Sequence, residues 1–267
     1  MDAAAWTPPG LDISRPSPAR VYDYYLGGYH NFAADREMAR KALEMWPDLP
    51  TIMRANRAFL RRAVSYLAES GVRQFLDIGS GIPTVDNVHS VAQECRPDAR
   101  VVYVDIDPVA VQHSRAILAG DRQTAVVQAD LREPDDVLGK AADTGLLDFR
   151  QPVALLVVAL LHFVPDSDHP DEVLRAYRDA LGSGSHLVIS HATHEGRPEL
   201  TASHEELYRR MGTPMTMRSW RQVSAFFDGY DLVDPGLVYL LQWRPGPEEE
   251  ATPPESVPAW VGVGRRS

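Results

Sequence analysis

The sequence has little cysteine, no excess of positive charge and no long apolar run. Cys95 is the only cysteine in 267 residues, so an intrachain disulfide is impossible and a reducing compartment is expected. The net charge is -10, which argues against broad electrostatic binding to nucleic acid or to an anionic membrane. The longest apolar run, Val153 to Leu161, is too short to span a bilayer. No basic and apolar leader opens the chain, so a soluble cytoplasmic protein is predicted.

The N-terminal region combines an irregular arm with a cluster of tyrosines. Residues 1–19 are rich in Pro, which favours an irregular arm. Several tyrosines and a Gly-Gly pair follow between residues 21 and 32. Such aromatic side chains either pack the segment onto the body or form a lid that bends at the glycines over a ligand. Tyr22, Tyr25 and Asn31 are therefore candidate lid and substrate residues.

Two helices are predicted next, over residues 33–45 and 51–70. In the second helix, apolar residues recur at three- and four-residue spacing, which is typical of an amphipathic helix. Its arginines are expected to face solvent. A placement of Asn56 and Arg57 toward a ligand is the alternative.

From residue 75 the chain alternates short apolar runs with helical segments. Strands are predicted over 75–78, 101–104, 125–128, 153–160 and 186–190, and helices over 85–95, 108–119, 135–138 and 171–181. This alternation predicts a doubly wound α/β fold with a mostly parallel, seven-stranded sheet. An antiparallel last strand is predicted over 260–265, and an N-terminal helical lid completes the fold. Residues 1–70 would form the arm, lid and first helices, and 71–267 the core, in a single domain overall.

The first predicted strand ends in Asp77-Ile78-Gly79-Ser80-Gly81. Glycine allows backbone conformations that other residues avoid, and it leaves no side chain between the backbone and a ligand. In doubly wound proteins a glycine loop at this position binds nucleotide-like ligands. The next two strands end in Asp105 and Asp130. Each acid alone is as typical of a helix cap or loop, but their repeated placement predicts acids along one rim of the sheet.

The loop differs from phosphate-binding loops. Thr84 stands where the dinucleotide fingerprint has its third glycine, and Pro83 removes an amide donor. Asp77 before the glycines would repel a pyrophosphate and suits a cationic amino group. A ligand with a ribose, an ammonium group and no phosphate fits best, and S-adenosylmethionine has these groups.

The glycine segment resembles the first motif of class I S-adenosylmethionine-dependent methyltransferases. More narrowly, the chain is similar to the actinobacterial S-adenosyl methyltransferase family. The matching segments are 18–28, 31–32, 55–60, 74–84, 102–105, 130–132, 161–164 and 184–185. The resemblance implies transfer of a methyl group from S-adenosylmethionine to an O, N or C atom of an acceptor. Pro83 departs from the general class, in which a third glycine often stands there.

The same resemblance implies roles for individual residues. Asp77, Gly79, Ser80 and Gly81 would bind the methionine part of the cofactor, and Asp105 its ribose. Asp130 and Leu131 would contact the adenine edge. Ile106 would pack on the adenine face, with a plain core position as the alternative.

Histidines near the ends of the fourth and fifth strands are candidates for acceptor chemistry. A base is needed only if the acceptor carries a proton, and His162 is the candidate. Its alternative role is to cap the strand or pack on the lid. His191 and His194 also lie at the rim, and His191 is a candidate substrate residue. Because no Cys or acidic residue stands at a spacing typical of a third metal ligand beside these two histidines, no metal is predicted.

The sequence therefore predicts a methyltransferase for a small-molecule acceptor. The acceptor pocket would lie between residues 20–32, the loop at His162 and residues 193–219, which are polar and expected to be mostly helical. The Asn/Asp-Pro-Pro-Tyr/Phe motif expected for methylation of DNA or protein nitrogens is absent after the fourth strand. Two alternatives stay open. One is an S-adenosylmethionine-binding sensor without transferase activity, and the other is an NAD-dependent oxidoreductase.

Overall fold

The computed structural model describes residues 13–83, 87–210 and 212–267. Most of the predicted arm, residues 1–12, lies outside the described residues. So do Thr84 and the first residues of the helix predicted from residue 85.

The strands form one sheet. They are β1 (Gln74–Ile78), β2 (Arg100–Asp105), β3 (Thr124–Gln128), β4 (Ala154–Val158), β5 (His186–Ala192), β6 (Asp231–Leu232), β7 (Val238–Tyr239) and β8 (Ala259–Arg265). Their order is β3-β2-β1-β4-β5-β8-β6, with β7 also paired to β8. The first five strands are parallel, and β8 is antiparallel to β5, β6 and β7. The predicted mostly parallel sheet with an antiparallel last strand is confirmed, and β7 is a short addition to the seven-strand path.

Helices cover the sheet and precede it. They are α1 (Pro18–Tyr25), α2 (Ala33–Met45), α3 (Leu49–Glu69), α4 (Val88–Cys95), α5 (Pro108–Ile117), α6 (Pro134–Asp143), α7 (Pro170–Ala180), α8 (Pro198–Arg210), α9 (Trp220–Ala225) and α10 (Pro247–Glu250). Many begin with proline, because the missing N–H has no intrahelical partner at that position and the fixed φ suits a helix.

Alternation along the strands supplies both faces of the sheet with apolar side chains. Phe75 and Val101 belong to a core cluster that includes residues of α2, α3 and α4. Their neighbours Leu76 and Val102 belong to a second cluster, with residues of α6, α7 and α9. Successive side chains of a strand point to opposite faces, so a strand buried on both sides reads as a continuous apolar run.

The N-terminal helix α1 is tied to the sheet through Arg20. This buried guanidinium donates from Nε to Asp35 Oδ2 (2.9 Å) and from Nη1 to Asp107 Oδ2 (3.1 Å). Asp107 caps α5 by accepting from the Val109 N–H, and it also accepts from the Ser17 hydroxyl. The start of the described chain is thus bonded to the carboxyl end of β2. Among the described residues, no helix is both long and apolar enough to cross a membrane.

Several predicted boundaries are wrong. β4 ends at Val158 rather than residue 160, because Ala159 adopts a left-handed conformation (φ 54°) and donates its N–H to Ser190 Oγ. The helix predicted over 135–138 extends to Asp143 as α6. Residues 193–219, expected to be mostly helical, form a helix only over α8.

Candidate active site

A cavity of about 380 Å³ lies at the carboxyl ends of the parallel strands, under α1 and α3. Every residue expected to contact a cofactor lines it: Asp77, Gly79, Ser80, Gly81, Asp105, Ile106, Asp130 and Leu131. We call this set the acidic side. The candidates Tyr22, Tyr25, His162 and His191 also line the cavity, whereas Asn31 and His194 do not.

The glycine loop requires its glycines for two different reasons. Gly79 has φ 70°, and a Cβ there would lie 2.7 Å from both terminal carbons of Leu160. Gly81 also has positive φ (62°), but a Cβ there would meet only the Ala19 Cβ at 3.9 Å. The left-handed conformation disfavours side chains at both positions. Only Gly79 is also constrained by packing.

Asp105 closes the loop from the neighbouring strand. Its Oδ2 accepts from the Gly81 N–H (2.7 Å), and its Oδ1 accepts from the Asp107 N–H (2.8 Å). A carboxylate can accept further hydrogen bonds, so both bonds leave capacity for a ligand hydroxyl. Burial raises the pKa of Asp105 to about 6.

Asp77, at the end of β1, is the second buried acid of the acidic side. Burial raises its pKa to about 7, against the opposing charge of Arg57, while the nearby Asp105 raises it further. The Arg57 guanidinium lies 5.3 Å from the centroid of the Tyr22 ring, and its buried Nε has no hydrogen-bond partner in the described part of the chain. The prediction that the arginines of α3 face solvent is wrong for Arg57, which lines the cavity with Asn56.

Ser80 supplies a test of whether the loop fits a ligand. Its side chain is buried in the loop, and its Oγ has no hydrogen-bond partner among the described residues. A buried hydroxyl without a partner costs about 1–3 kcal/mol, which a ligand group that bonds to it offsets. The loop therefore combines two buried acids with an unpaired hydroxyl. Those groups suit the ammonium and carboxylate ends of an amino acid.

The third acid, Asp130, is held in an ion pair. Arg132 binds Asp130 from Nη2 (2.6 Å) and reaches Asp168 from Nη1 (2.9 Å). This pairing holds the pKa of Asp130 below its usual range despite its partial burial. Arg132 thereby connects the end of β3 to the turn before α7.

Apolar residues complete the acidic side. Leu131 is buried, and its carbonyl accepts from the Tyr177 hydroxyl (2.9 Å). Ile106 is 56% exposed beside the cavity, so its alternative role as a plain core residue is wrong. An exposed isoleucine at a cavity mouth offers an apolar surface to a flat ligand.

His162 lies beyond the acidic side, in a 3-10 turn over Leu161–Phe163 that follows β4. Its ring is buried, and its centroid lies 4.4 Å from that of Phe163 and 5.6 Å from that of His191. Burial holds the pKa of His162 well below its usual range, so the ring is neutral. Nδ1 has no partner among the described residues. His162 is therefore a neutral imidazole on the cavity wall.

His191 is engaged within the protein through both ring nitrogens. The Arg218 guanidinium lies 3.0 Å from Nε2 and can only donate, so Nε2 is the acceptor. Nδ1 then carries the proton and donates it to the Ala192 carbonyl (2.7 Å). Burial lowers the pKa of His191 to about 3, in keeping with a neutral ring. Both hydrogen-bonding positions of His191 are thus used.

The three lid candidates differ in their surroundings. The Tyr22 hydroxyl accepts from Asn56 Nδ2 (3.0 Å) and donates to the Met53 carbonyl (3.2 Å). Tyr25 is buried, and its hydroxyl faces that of Tyr208. Asn31 donates to Asp23 Oδ2 (2.9 Å) and to the Gly28 carbonyl (2.9 Å), which stabilises the turn after α1.

Trp46, His204 and Tyr208 also line the cavity; Trp46 was not predicted to do so, whereas His204 and Tyr208 lie in the segment 193–219 expected to bound the acceptor pocket. They meet Phe163 and His162 in a chain of ring contacts. The one available signal was the four-residue spacing of His204 and Tyr208, which places both on one face of α8. We call Tyr25, Trp46, His162, Phe163, His204 and Tyr208 the aromatic side.

The family model described as S-adenosyl methyltransferase matches residues 4–267. The chain belongs to this family. It is an S-adenosylmethionine-dependent methyltransferase by membership, as its glycine motif predicted. Among the described residues, no group of three or more His, Cys, Asp and Glu is placed to hold a metal ion.

Solved structures of the family share the whole fold. A DUF574 family protein from Streptomyces avermitilis is 39% identical over 96% of this chain and 99% of its own, with a TM-score of 0.92. A proposed methyltransferase from Thermobifida fusca is 42% identical over 98% of this chain and 99% of its own, also with a TM-score of 0.92.

A more distant structure shares the fold alone. The N-methyltransferase NodS from Bradyrhizobium japonicum is 14% identical over 92% of this chain and 98% of its own, with a TM-score of 0.52. A search of curated proteins gives no match.

Proposed function

We propose that the protein transfers the methyl group of S-adenosylmethionine to a small-molecule acceptor inside this cavity. One observation carries the proposal: the buried acids Asp77 and Asp105 flank a glycine loop whose Ser80 hydroxyl has no hydrogen-bond partner within the described residues. This set suits a cationic ligand that carries a ribose. The NodS structure was determined with S-adenosylhomocysteine, which supports the same use of the shared fold.

The residues of the acidic side divide the cofactor among them. Asp77 accepts from the ammonium group, while Ser80 and Arg57 bind the carboxylate. Asp105 accepts from the ribose hydroxyls while it holds the glycine loop through Gly81. Ile106 covers one face of the adenine, and Asp130 and Leu131 bound its edge. When bound, S-adenosylmethionine supplies a methyl group on a positively charged sulfur.

The protein contributes alignment and exclusion of water. The cavity lies under α1, whose Arg20 is bonded to Asp107 next to the acidic side. Holding donor and acceptor in line for displacement lowers the barrier by avoiding the entropy cost of bringing them together. Neutral His162 accepts the proton of the acceptor when the methylated atom carries one.

Isothermal titration tests the cofactor assignment. S-adenosylhomocysteine should bind with one site per chain, and NADH should not bind. Binding of NADH in its place would overturn the proposal in favour of an oxidoreductase.

Incubation with methyl-labelled S-adenosylmethionine and a metabolite extract then tests transfer. A labelled product of low molecular mass is expected. Binding without any labelled product across a broad set of extracts would favour a sensor.

A further inference from the structure

The aromatic side is a continuous set of rings. The ring of His204 lies 5.8 Å from that of Trp46 and 4.8 Å from that of Tyr208, measured between centroids. Tyr208 lies 5.9 Å from Phe163, which is next to His162. Aromatic side chains bind flat, unsaturated ligands through stacking and edge contacts.

No residue of the aromatic side is an Asp, Glu, Lys or Arg, and the charged residues Asp23 and Arg57 line other parts of the same cavity. The described lining residues from Val158 onward include no Asp, Glu, Lys or Arg. Burial keeps the histidines of the aromatic side neutral, lowering the pKa of His204 to about 4 and that of His162 well below its usual range. The buried guanidinium of Arg218 contacts His191 but is already paired with Asp166 (2.6 Å), so a carboxylate or ammonium group placed here would lose its hydration without an unpaired counter-charge, which is unfavourable.

Unpaired polar atoms are concentrated on the same wall. Trp46 Nε1, His162 Nδ1 and His204 Nδ1 are all buried without a hydrogen-bond partner among the described residues. None of these residues is more than 7% exposed, and all line the cavity. The indole N–H can only donate, whereas a neutral imidazole also accepts. A hydroxyl group both donates and accepts, so it can satisfy both kinds of atom.

We propose that the methyl acceptor is an uncharged aromatic compound with a hydroxyl group, bound against the aromatic side and methylated at that oxygen. This assignment rests on the proposed function. The aromatic side is next to the glycine loop, because Leu160 packs at Gly79 and His162 follows two residues later. β1 and β4 are also direct neighbours in the sheet.

The bonds and the proton of the methyl transfer are all accounted for by groups already named. The acceptor oxygen forms a bond to the methyl carbon, and the carbon–sulfur bond breaks with its electron pair left on sulfur. The hydroxyl proton passes to His162 and then to solvent. The products are an aryl methyl ether, S-adenosylhomocysteine and a proton.

Matched probes test the acceptor class on protein saturated with S-adenosylhomocysteine. The pairs are phenol and benzoate, 2-naphthol and 2-naphthoate, and 4-phenylphenol and biphenyl-4-carboxylate, with naphthalene as a probe without a polar group. At least one phenol should bind at least about tenfold more tightly than its carboxylate, a difference of about 1.4 kcal/mol. Tighter binding of the carboxylates, or no binding by any probe, would overturn the assignment.

Variants test the hydrogen bonds separately from the ring contacts. Trp46→Phe keeps an aromatic ring and removes the N–H, so it should weaken 2-naphthol about fivefold and leave naphthalene unchanged. Trp243→Phe is the matched control, because Trp243 Nε1 is also buried without a partner among the residues that the structure describes, but Trp243 does not line the cavity. Equal losses for both probes, or equal effects of both variants, would contradict the assignment.

The titration with S-adenosylhomocysteine separates the two proposals. If the cofactor product binds and the phenols do not, the acceptor class is wrong and the proposed function stands. If the cofactor product does not bind, the proposed function itself fails.

Discussion

The two sides of the cavity are built in different ways. The acidic side comes from short segments at the ends of three neighbouring strands, and its key groups are backbone conformations and carboxylates. The aromatic side comes from α1, the end of α2, the turn after β4 and α8, and its groups are rings without charge. Binding a cofactor that is the same throughout a family requires a fixed set of charged groups in the protein, whereas binding an acceptor requires a cavity of matching shape. The difference explains why the first side resembles a large class of proteins and the second does not.

The largest effect is expected where the two sides touch. Gly79→Ala forces a side chain into a left-handed conformation and against Leu160, so it should lower the free energy of unfolding by roughly 2–5 kcal/mol. Because Leu160 leads into the turn that carries His162, binding of both S-adenosylhomocysteine and phenols should fall. Urea unfolding and titration measure the two effects.

Two other glycines serve as controls for Gly79. Gly81→Ala has the same backbone conformation without the close contact, and should cost about 1–2 kcal/mol. Gly139→Ala, in helix α6 with open space around it, should be neutral or slightly stabilising. Equal costs at positions 79 and 81 would mean that the Leu160 contact is unimportant.

The buried carboxyls of the acidic side should also lower the free energy of unfolding of the ligand-free protein at high pH. Burial raises the pKa of Asp77 in the folded protein from 3.8 to about 7. Protonated Asp77 therefore makes its full contribution to the free energy of unfolding below pH 3.8. That contribution is lost as the pH rises through about 7 and the buried carboxyl ionises. Asp77→Asn should raise the free energy of unfolding of the ligand-free protein at pH 8 by roughly 1–3 kcal/mol.

Asp130→Asn is the matched control for Asp77→Asn. The pKa of Asp130 is lowered by its pairing with Arg132, so its contribution to stability is present at high pH and is lost on acidification. This variant should not stabilise the protein at pH 8. Stabilisation by Asp130→Asn, or none by Asp77→Asn, would contradict the account of burial on the acidic side.

Cofactor binding should depend on pH through the same carboxyls. The ammonium group binds ionised Asp77, so affinity for S-adenosylhomocysteine should rise up to about tenfold between pH 6 and pH 8 and level off above. Calorimetry in buffers of different ionisation enthalpy should detect proton release on binding near pH 6.5. In the Asp77→Asn variant, the pH dependence of the affinity should shrink to the part that comes from ionisation of Asp105. A flat affinity from pH 5.5 to 8 in the unaltered protein would argue against a cationic group at Asp77.

The sheet and the acidic side could be predicted because their signals are local. Each strand is a short apolar run, and Asp77, Asp105 and Asp130 each follow one directly. The placement of Arg57 on the cavity was only an alternative in the sequence analysis, because the apolar periodicity of α3 does not specify what lies beyond its polar face. The part played by Trp46 could not be predicted, since Trp46 and His204 are 158 positions apart in the sequence and meet only through the packing of α2 and α8.

The partners of His191 and Asn31 show a further limit of sequence reasoning. Both are polar residues in segments where ligand contact is expected, but their hydrogen bonds are made within the protein. Position at a strand end indicates where a side chain lies. It does not indicate whether another residue, such as Arg218, already occupies its hydrogen-bonding atoms.

The division of the cavity is tested most directly by titrating two variants with S-adenosylhomocysteine under the same conditions. Asp105→Ala removes a carboxylate from the acidic side and should weaken binding by about 1–3 kcal/mol, the cost of leaving paired groups unsatisfied. Trp46→Phe alters the aromatic side and should leave this affinity unchanged. An unchanged affinity in Asp105→Ala, or an equal loss in Trp46→Phe, would contradict the assignment of the cofactor to the acidic side.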